Sequence, residues 1–288
     1  MVIGLSNLIN KTLRTLDKRK FGKSEKWLSR NQQMNHEVQT FVFAHRGSKC
    51  NRPENTLASF REAVRVHSDG IELDVHLSID GELIVIHDEK IDRTTTGKGL
   101  VRKMTVAELK RFDAGSWFKE DFRGEKIPIL SEVLSLLTDL HFTGSLNIEI
   151  KTDKYHYPDI EKKLSVLMKS QQWPFTHLYS SFNIDSLKIL SEIEPDVELS
   201  YLTNNRLKKI ENGLLTDFIT SIHPRKSYAF KHPVLTALSN KPVRLWTVNS
   251  ESEMRQAFHE NVAGIITDYP EQAIRIRNQI QKQPDYTR

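Results

Sequence analysis

The chain has 288 residues and a single cysteine, Cys50. That length admits one large α/β domain or two small ones, the lone cysteine excludes an internal disulfide framework, and no window of about 18 uninterrupted apolar residues exists to span a bilayer. The formal charge of +5 lies in residues 1–40, with 8 Lys/Arg against 3 acids, so residues 41–288 are formally neutral and lack the charge of a nucleic-acid-binding body.

In chain order, the basic arm comes first. Val2, Ile3, Leu5, Leu8, Ile9, Leu13 and Leu16 recur near the helical period and predict an amphipathic helix with a basic face. Asn7, Asn10, Lys11 and Arg14 interrupt the run, and no small-residue cleavage site follows, which argues against a secretory signal. With the reducing compartment that one cysteine fits, the expectation is a cytoplasmic protein. The helix is expected on the outside or bottom of the main domain. A peripheral membrane contact with anionic lipid through residues 1–40 is the second reading, and a disordered leader the third.

From residue 41, short β-branched runs alternate with amphipathic stretches. Strand-like runs are Phe41–Ala44, Gly70–Val75, Leu83–His87, Leu146–Ile150, Leu178–Phe182, Val197–Leu202, Phe218–Ile222, Val243–Val248 and Gly264–Thr267. Helical patterns between them include Leu57–Val66, Ser131–Leu140, Asp159–Ser170, Asn183–Glu192, Ser250–His259 and Glu271–Ile280. With Leu83–His87 counted as a continuation after the Asp80-Gly81 turn, eight strand positions remain, and eight βα units predict a closed (β/α)₈ TIM barrel. An open doubly wound sheet is the competing architecture; it normally shows a Gly-rich phosphate turn after its first strand, and the lone Gly47 is not one. Residues 89–128 break the alternation and read as a small insertion over the barrel mouth after the second strand, with a helix-like Thr105–Arg111 and Trp117 and Phe118 beyond it. The expected organisation is an N-terminal extension over 1–40, a barrel over 41–280 and a tail over 281–288.

The chemistry-bearing residues sit at strand ends, where parallel α/β folds display their catalytic groups. His45 and Arg46 follow the first strand, and His87 closes the Leu83–His87 run. Glu72 and Asp74, two apart on one strand, point to the same face. Burying two such carboxylates is costly unless a cation compensates. With Glu149 at another strand end they form an all-oxygen ligand set that favours Mg²⁺, Ca²⁺ or Mn²⁺ over Zn²⁺. An ion-pair network with Arg46 and Lys151 is the competing reading. Phosphodiester cleavage needs one group to accept a proton and another to give one, and the two imidazoles suit that near neutral pH. Arg46 and Lys151 would meet the charge of the phosphate, although Lys151, two residues after Glu149, is also placed for a plain salt bridge.

The motifs His45-Arg46-Gly47, Pro53-Glu54-Asn55-Thr56, Glu72-Leu73-Asp74 and His87-Asp88 together resemble the glycerophosphodiester phosphodiesterases. The likeness continues through Glu149-Ile150-Lys151, Ser180-Ser181-Phe182, Trp246-Thr247-Val248-Asn249 and Thr267-Asp268-Tyr269-Pro270, and covers about residues 41–275. The resemblance implies a barrel that hydrolyses a glycerophosphodiester to an alcohol and sn-glycerol 3-phosphate. It places the ligands of one divalent cation at Glu72, Asp74 and Glu149, the acid/base pair at His45 and His87, and phosphate binding at Arg46. It gives Glu54 a supporting place beside the metal site or the neighbouring histidine. A cyclic 1,2-phosphate intermediate and direct water attack both remain open.

Trp246, at a late strand end, packs against the glycerol or head group in one reading and is an ordinary rim aromatic in the other. The loop Ser48–Arg52 is expected to be solvated, and Cys50 incidental. A lipid-directed relative with lysophospholipase D or phospholipase-type activity is the alternative, to be favoured if the 1–40 arm, Trp117 and Phe118 share an exposed patch. A non-catalytic barrel would lack a histidine or a metal ligand, and none is missing.

Overall fold

The computed structural model describes residues 39–233 and 239–281. The expectations for the N-terminal arm, and for the tail beyond residue 281, lie outside the described residues.

Nine strands form one sheet: β1 (Phe41–His45), β2 (Gly70–Leu77), β3 (Leu83–Val85), β4 (Ser145–Ile150), β5 (Thr176–Ser181), β6 (Glu198–Thr203), β7 (Ser221–Pro224), β8 (Arg244–Leu245) and β9 (Gly264–Thr267). Their order is β7-β6-β5-β4-β2-β1-β9-β8, every pair parallel, while β3 hangs antiparallel on β2. The two ends of this order meet through parallel bridges Ile222–Val243 and Arg225–Trp246. The fold is therefore an eight-stranded parallel (β/α)₈ barrel, with Leu83–Val85 outside it as a hairpin arm.

Side-chain alternation explains the layering. On β2, Ile71, Leu73, Val75 and Leu77 belong to the large apolar core shared with the surrounding helices, so Gly70, Glu72, Asp74 and His76 lie on the barrel's inner side. Burying each of those aliphatic chains contributes roughly 1.5–3 kcal/mol. A smaller apolar cluster of Phe43, Leu178 and Ile266, with Trp246 against it, fills the interior. Gly70 faces Phe43 across the β1–β2 register, and a Cβ there would sit 2.3 Å from the ring. Glycine at this position is what allows Phe43 to occupy the interior.

Two late strands differ from their predicted spans. The Ile219 amide bonds the Thr216 carbonyl in a turn, so β7 starts at Ser221 rather than Phe218. β8 is reduced to two residues, with Pro242, which has no N–H, just ahead of it. Together with Ile84 of β3, the segment between β3 and the helix Leu130–Asp139 holds a separate small core of Ile86, Ile91, Val101, Leu109, Ala114 and Ile127. Its helix covers only Val106–Leu109, capped by Thr105 and Glu108.

Candidate active site

Strand register gathers the predicted residues at one end of the barrel. His45 pairs with Glu72 across β1–β2, and Asp74 pairs with Glu149 across β2–β4. One carboxylate oxygen from each of Glu72, Asp74 and Glu149 lies within 4.8 Å of the other two. Asp74 is fully buried and Glu72 nearly so, which water-exposed carboxylates would not require.

Around this trio the chain supplies cations and amides. The turn after β1 puts Arg46 at φ 54° and Gly47 at φ 77°, both left-handed. That turn aims the Arg46 amide at Glu72 Oε2, 2.9 Å away. A Cβ at Gly47 would lie 2.4 Å from Ser59 Oγ, the same hydroxyl that donates to the Arg46 carbonyl at 3.0 Å. Ser59 also completes the capping box that starts the helix Leu57–Arg65, so helix start and active turn are fastened together. Arg46 Nη1 donates to Glu54 at 2.7 Å, and its Nε lies 3.4 Å from Asp74 Oδ2. Asn55, at φ 54°, donates its side-chain amide to the same Oδ2 at 2.9 Å. Lys151 donates to Glu149 at 2.8 Å and stands 3.7 Å from Asp74 Oδ1. Strain of this kind, held by its surroundings, clusters at functional sites.

The ion-pair reading is thus realised, but it does not complete the site. Arg46 and Lys151 offset two of three carboxylates, and Asp74 Oδ1 is buried with no hydrogen-bond partner among the described residues. Burial opposes ionisation of Asp74, yet His87, Arg46, Lys151 and the Asn55 amide outweigh it and hold the carboxyl far below its usual range. Burial together with the charges of Asp74 and Glu149 pushes Glu72 well above the usual glutamate value. Burial also raises Glu149, with Lys151 opposing. An uncompensated carboxylate among hard oxygen donors, one of them orphaned, fits a divalent cation.

Each histidine is held by a carboxylate. His45 Nδ1 lies 2.5 Å from Asp268 Oδ1, and His87 Nδ1 lies 2.6 Å from Asp88 Oδ1. Donation of Nδ1–H to a carboxylate leaves Nε2 as the atom that accepts a proton from elsewhere. Burial and the neighbouring Arg46 lower His45 to about 4, against the pull of Asp268, so the ring is neutral at pH 7. Asp268 is in turn fixed by Asn249 Nδ2 at 2.9 Å, with Lys49 3.6 Å away.

Glu54 joins Arg46 to Arg93, which reaches it with two N–H groups at 2.9 and 2.7 Å and gives Nε to Asp88 at 2.6 Å. Burial works against Glu54, but these guanidinium bonds bring it down to about 2. It stands outside the carboxylate trio and reaches the His87 side through Arg93. Trp246 lies apart from these ion pairs. Its ring meets Phe182 edge-on at 5.5 Å, its Nε1 donates to the His223 carbonyl at 2.7 Å, and it lines an open cavity of about 550 Å³ with Thr152, Asp153, Asn183, Asn204 and Lys209.

Four contributors escape a reading by residue type alone: Asp268, Asn249, Asn55 and Arg93. The first three stand inside motifs quoted for the family resemblance, and that was their only signal; Arg93 stands six residues after His87 with no signal of its own. Of the aromatic pair in the insertion, Trp117 is exposed and Phe118 half-buried between it and Phe122.

A barrel whose mouth carries a carboxylate trio, two carboxylate-held imidazoles and two cations defines a hydrolase for phosphoric esters. The profile of the glycerophosphoryl diester phosphodiesterase family matches residues 45–272, and the chain belongs to that family of phosphoric diester hydrolases. A glycerophosphodiester phosphodiesterase of Bacillus altitudinis is 41% identical over 244 residues, covering 84% of this chain and 99% of its own. One from Caldanaerobacter subterraneus subsp. tengcongensis is 40% identical, over 83% of this chain and 98% of its own. Among solved structures, an Oleispira antarctica phosphodiesterase in complex with the product sn-glycerol-3-phosphate superposes with a TM-score of 0.73 at 30% identity, covering 83% of this chain and 97% of that one. No helix among the described residues is long and apolar enough to cross a membrane.

Proposed function

We propose that this chain hydrolyses glycerophosphodiesters to an alcohol and sn-glycerol 3-phosphate with the help of one divalent cation, Mg²⁺ or Ca²⁺. The observation that carries this reading is the carboxylate trio set beside two imidazoles, each oriented by its own carboxylate. Glu72, Asp74 and Glu149 would hold the cation, which supplies charge neutralisation at the phosphate and a lowered pKa for a bound hydroxyl. The relatives' names and the product in the Oleispira antarctica structure support the substrate class.

The chain's own groups account for the protons. His45, neutral at pH 7, accepts one from the attacking hydroxyl as its oxygen bonds to phosphorus. His87 gives one to the alcohol oxygen as the P–O bond to the leaving group breaks. The balance is the same whether the attacking oxygen is water or the glycerol's own hydroxyl; in the second case a cyclic phosphate forms first and water opens it. Arg46, partly buried, and Lys151, buried, both against carboxylates, would bind the nonbridging oxygens. Trp246 with Phe182 offers an apolar wall for glycerol or head group. The lipid-directed alternative draws on the arm together with Trp117 and Phe118, and of those two rings only Trp117 is exposed.

The test is release of sn-glycerol 3-phosphate from glycerophosphocholine and glycerophosphoethanolamine in the presence of Mg²⁺ or Ca²⁺. Release from either supports the assignment. No release from both, with release from lysophospholipids instead, would shift the substrate to membrane lipids.

A further inference from the structure

His87 is carried past the end of β3, which stops at Val85, so the ladder does not hold it. Its segment is fastened from β2 instead. The Ile86 amide bonds the Asp74 carbonyl at 3.2 Å, and the ring of His76 lies with Nε2 3.0 Å from the His87 carbonyl. His76 is fully buried on the same inner side of β2 as Glu72 and Asp74. On its other edge, Nδ1 lies 2.9 Å from the hydroxyl of buried Tyr157, in the connection that follows Lys151.

The chemistry of the partners settles the proton positions. A carbonyl can only accept, so Nε2 carries the hydrogen; in the neutral ring Nδ1 then accepts, and the Tyr157 hydroxyl donates. The ring packs edge-on to Tyr157 with centroids 5.6 Å apart, so it cannot rotate without breaking both bonds. One side chain therefore ties the backbone of His87 to the loop after β4, which Lys154 also fastens to Glu89 at 2.9 Å.

Resting on the reading of His87 as an acid/base group, we infer that His76 is a positioning residue: through Tyr157–His76–His87 it fixes the height of the His87 imidazole relative to the carboxylate trio and Lys151. A leucine at 76 fills the space but offers no donor, leaving the His87 carbonyl to drift. A glutamine carries an N–H at about the reach of Nε2 and preserves the bond.

The experiment is steady-state kinetics on glycerophosphocholine with Mg²⁺ for wild type, His76→Leu, His76→Gln, Tyr157→Phe and His87→Ala, with thermal unfolding of each. Positioning predicts that His76→Leu loses about tenfold or more in kcat with KM held within twofold, the scale of partners that orient a reactive group. It predicts that His76→Gln stays within about threefold of wild type and that Tyr157→Phe falls between them. Wild-type kcat in folded His76→Leu, or equal losses in His76→Leu and His76→Gln, would overturn the inference. If His76→Leu fails to fold, Tyr157→Phe decides it: an unchanged kcat there refutes the relay. His87→Ala separates the two levels, because full turnover in that variant removes the underlying role of His87, whereas loss there with an active His76→Leu removes only His76.

Discussion

Nδ1 of His45, at the end of the first strand, stands 2.5 Å from Oδ1 of Asp268, at the end of the last. The contact crosses 223 positions of sequence, yet in the barrel β1 and β9 are neighbours, with Ala44 opposite Thr267. The pairing of the first strand with the last therefore completes the dyad. Asp268→Asn keeps the shape but offers Nδ1 an amide that can present either its oxygen or its N–H, so the ring loses its enforced tautomer. We expect kcat to fall by roughly 10²-fold, the lower end of the 10²–10⁴-fold range expected for His45→Ala. Kinetics on glycerophosphocholine would check this, and unchanged kcat in Asp268→Asn would remove the dyad from the account.

Arg93 bonds both Glu54, the partner of Arg46, and Asp88, the partner of His87. Arg93→Met leaves Glu54 buried with a single guanidinium. Because Arg93 is itself nearly half exposed, solvent screens part of the loss, and about 1–2 kcal/mol of stability is the expected cost. Turnover should fall about tenfold or more in the same variant. Chemical denaturation beside kinetics tests both, and Arg93→Lys should recover charge without the two-pronged bond to Glu54.

Acidification of EDTA-treated protein should remove the stability contributed by His45, Glu54 and Asp268. His45 falls to about 4 in the folded chain against 6.5 when free, chiefly through burial. A lowered histidine means that the unfolded chain takes up the proton first, so its contribution is whole above 6.5 and is lost as pH falls toward 4. Glu54, with burial outweighed by Arg93 and Arg46, lies near 2 against 4.5, and Asp268, with burial outweighed by His45, lies near 2 against 3.8. Their contributions are whole above those free values and are lost toward pH 2. These three share a sign; Glu72 and Glu149, raised by burial, oppose them in metal-free protein, because the folded chain takes up their protons first as pH falls toward 4.5. Comparison with His45→Gln isolates the histidine: between pH 6.5 and 4 the wild type should lose about 3 kcal/mol more than the variant in thermal melts. An equal acid dependence of wild type and His45→Gln over that stretch would contradict it.

Gly70→Ala would drive a methyl to 2.3 Å from the Phe43 ring. Overpacking of that kind costs roughly 1–3 kcal/mol. Phe43→Leu should offset part of that cost, giving a favourable coupling in a double-mutant cycle followed by thermal unfolding. Additive losses would show that the ring has room to move.

Much of this architecture is legible along the chain because parallel barrel strands leave local marks. The run Gly70–Val75 shows its apolar outer side and its acidic inner side by alternation alone, and His45, Arg46, His87 and Lys151 announce themselves by standing at strand ends. Relations between strands leave no such mark. The pairing of Asp74 with Glu149 and of His45 with Asp268 depends on register, and register is decided by the packed helices and the closing bridges between β7 and β8. Arg93 and His76 look like ordinary loop and strand residues until the fold brings Glu54, Asp88 and the His87 carbonyl to them. β7 and β8 are poorly marked because prolines 224 and 242 and the turn at Thr216–Ile219 break their patterns.

The central claim is that Glu72, Asp74 and Glu149 work as a cation site beside the histidine pair, and one measurement addresses it most directly. Protein stripped with EDTA is assayed for sn-glycerol 3-phosphate release from glycerophosphocholine, then assayed again with Mg²⁺ or Ca²⁺ restored, beside Asp74→Asn treated the same way. The account predicts that stripped wild type is inactive, that one of the two ions restores it, and that Asp74→Asn stays at least about 10²-fold below it at equal metal. Full activity of the stripped wild type, or full restoration of Asp74→Asn, would contradict it.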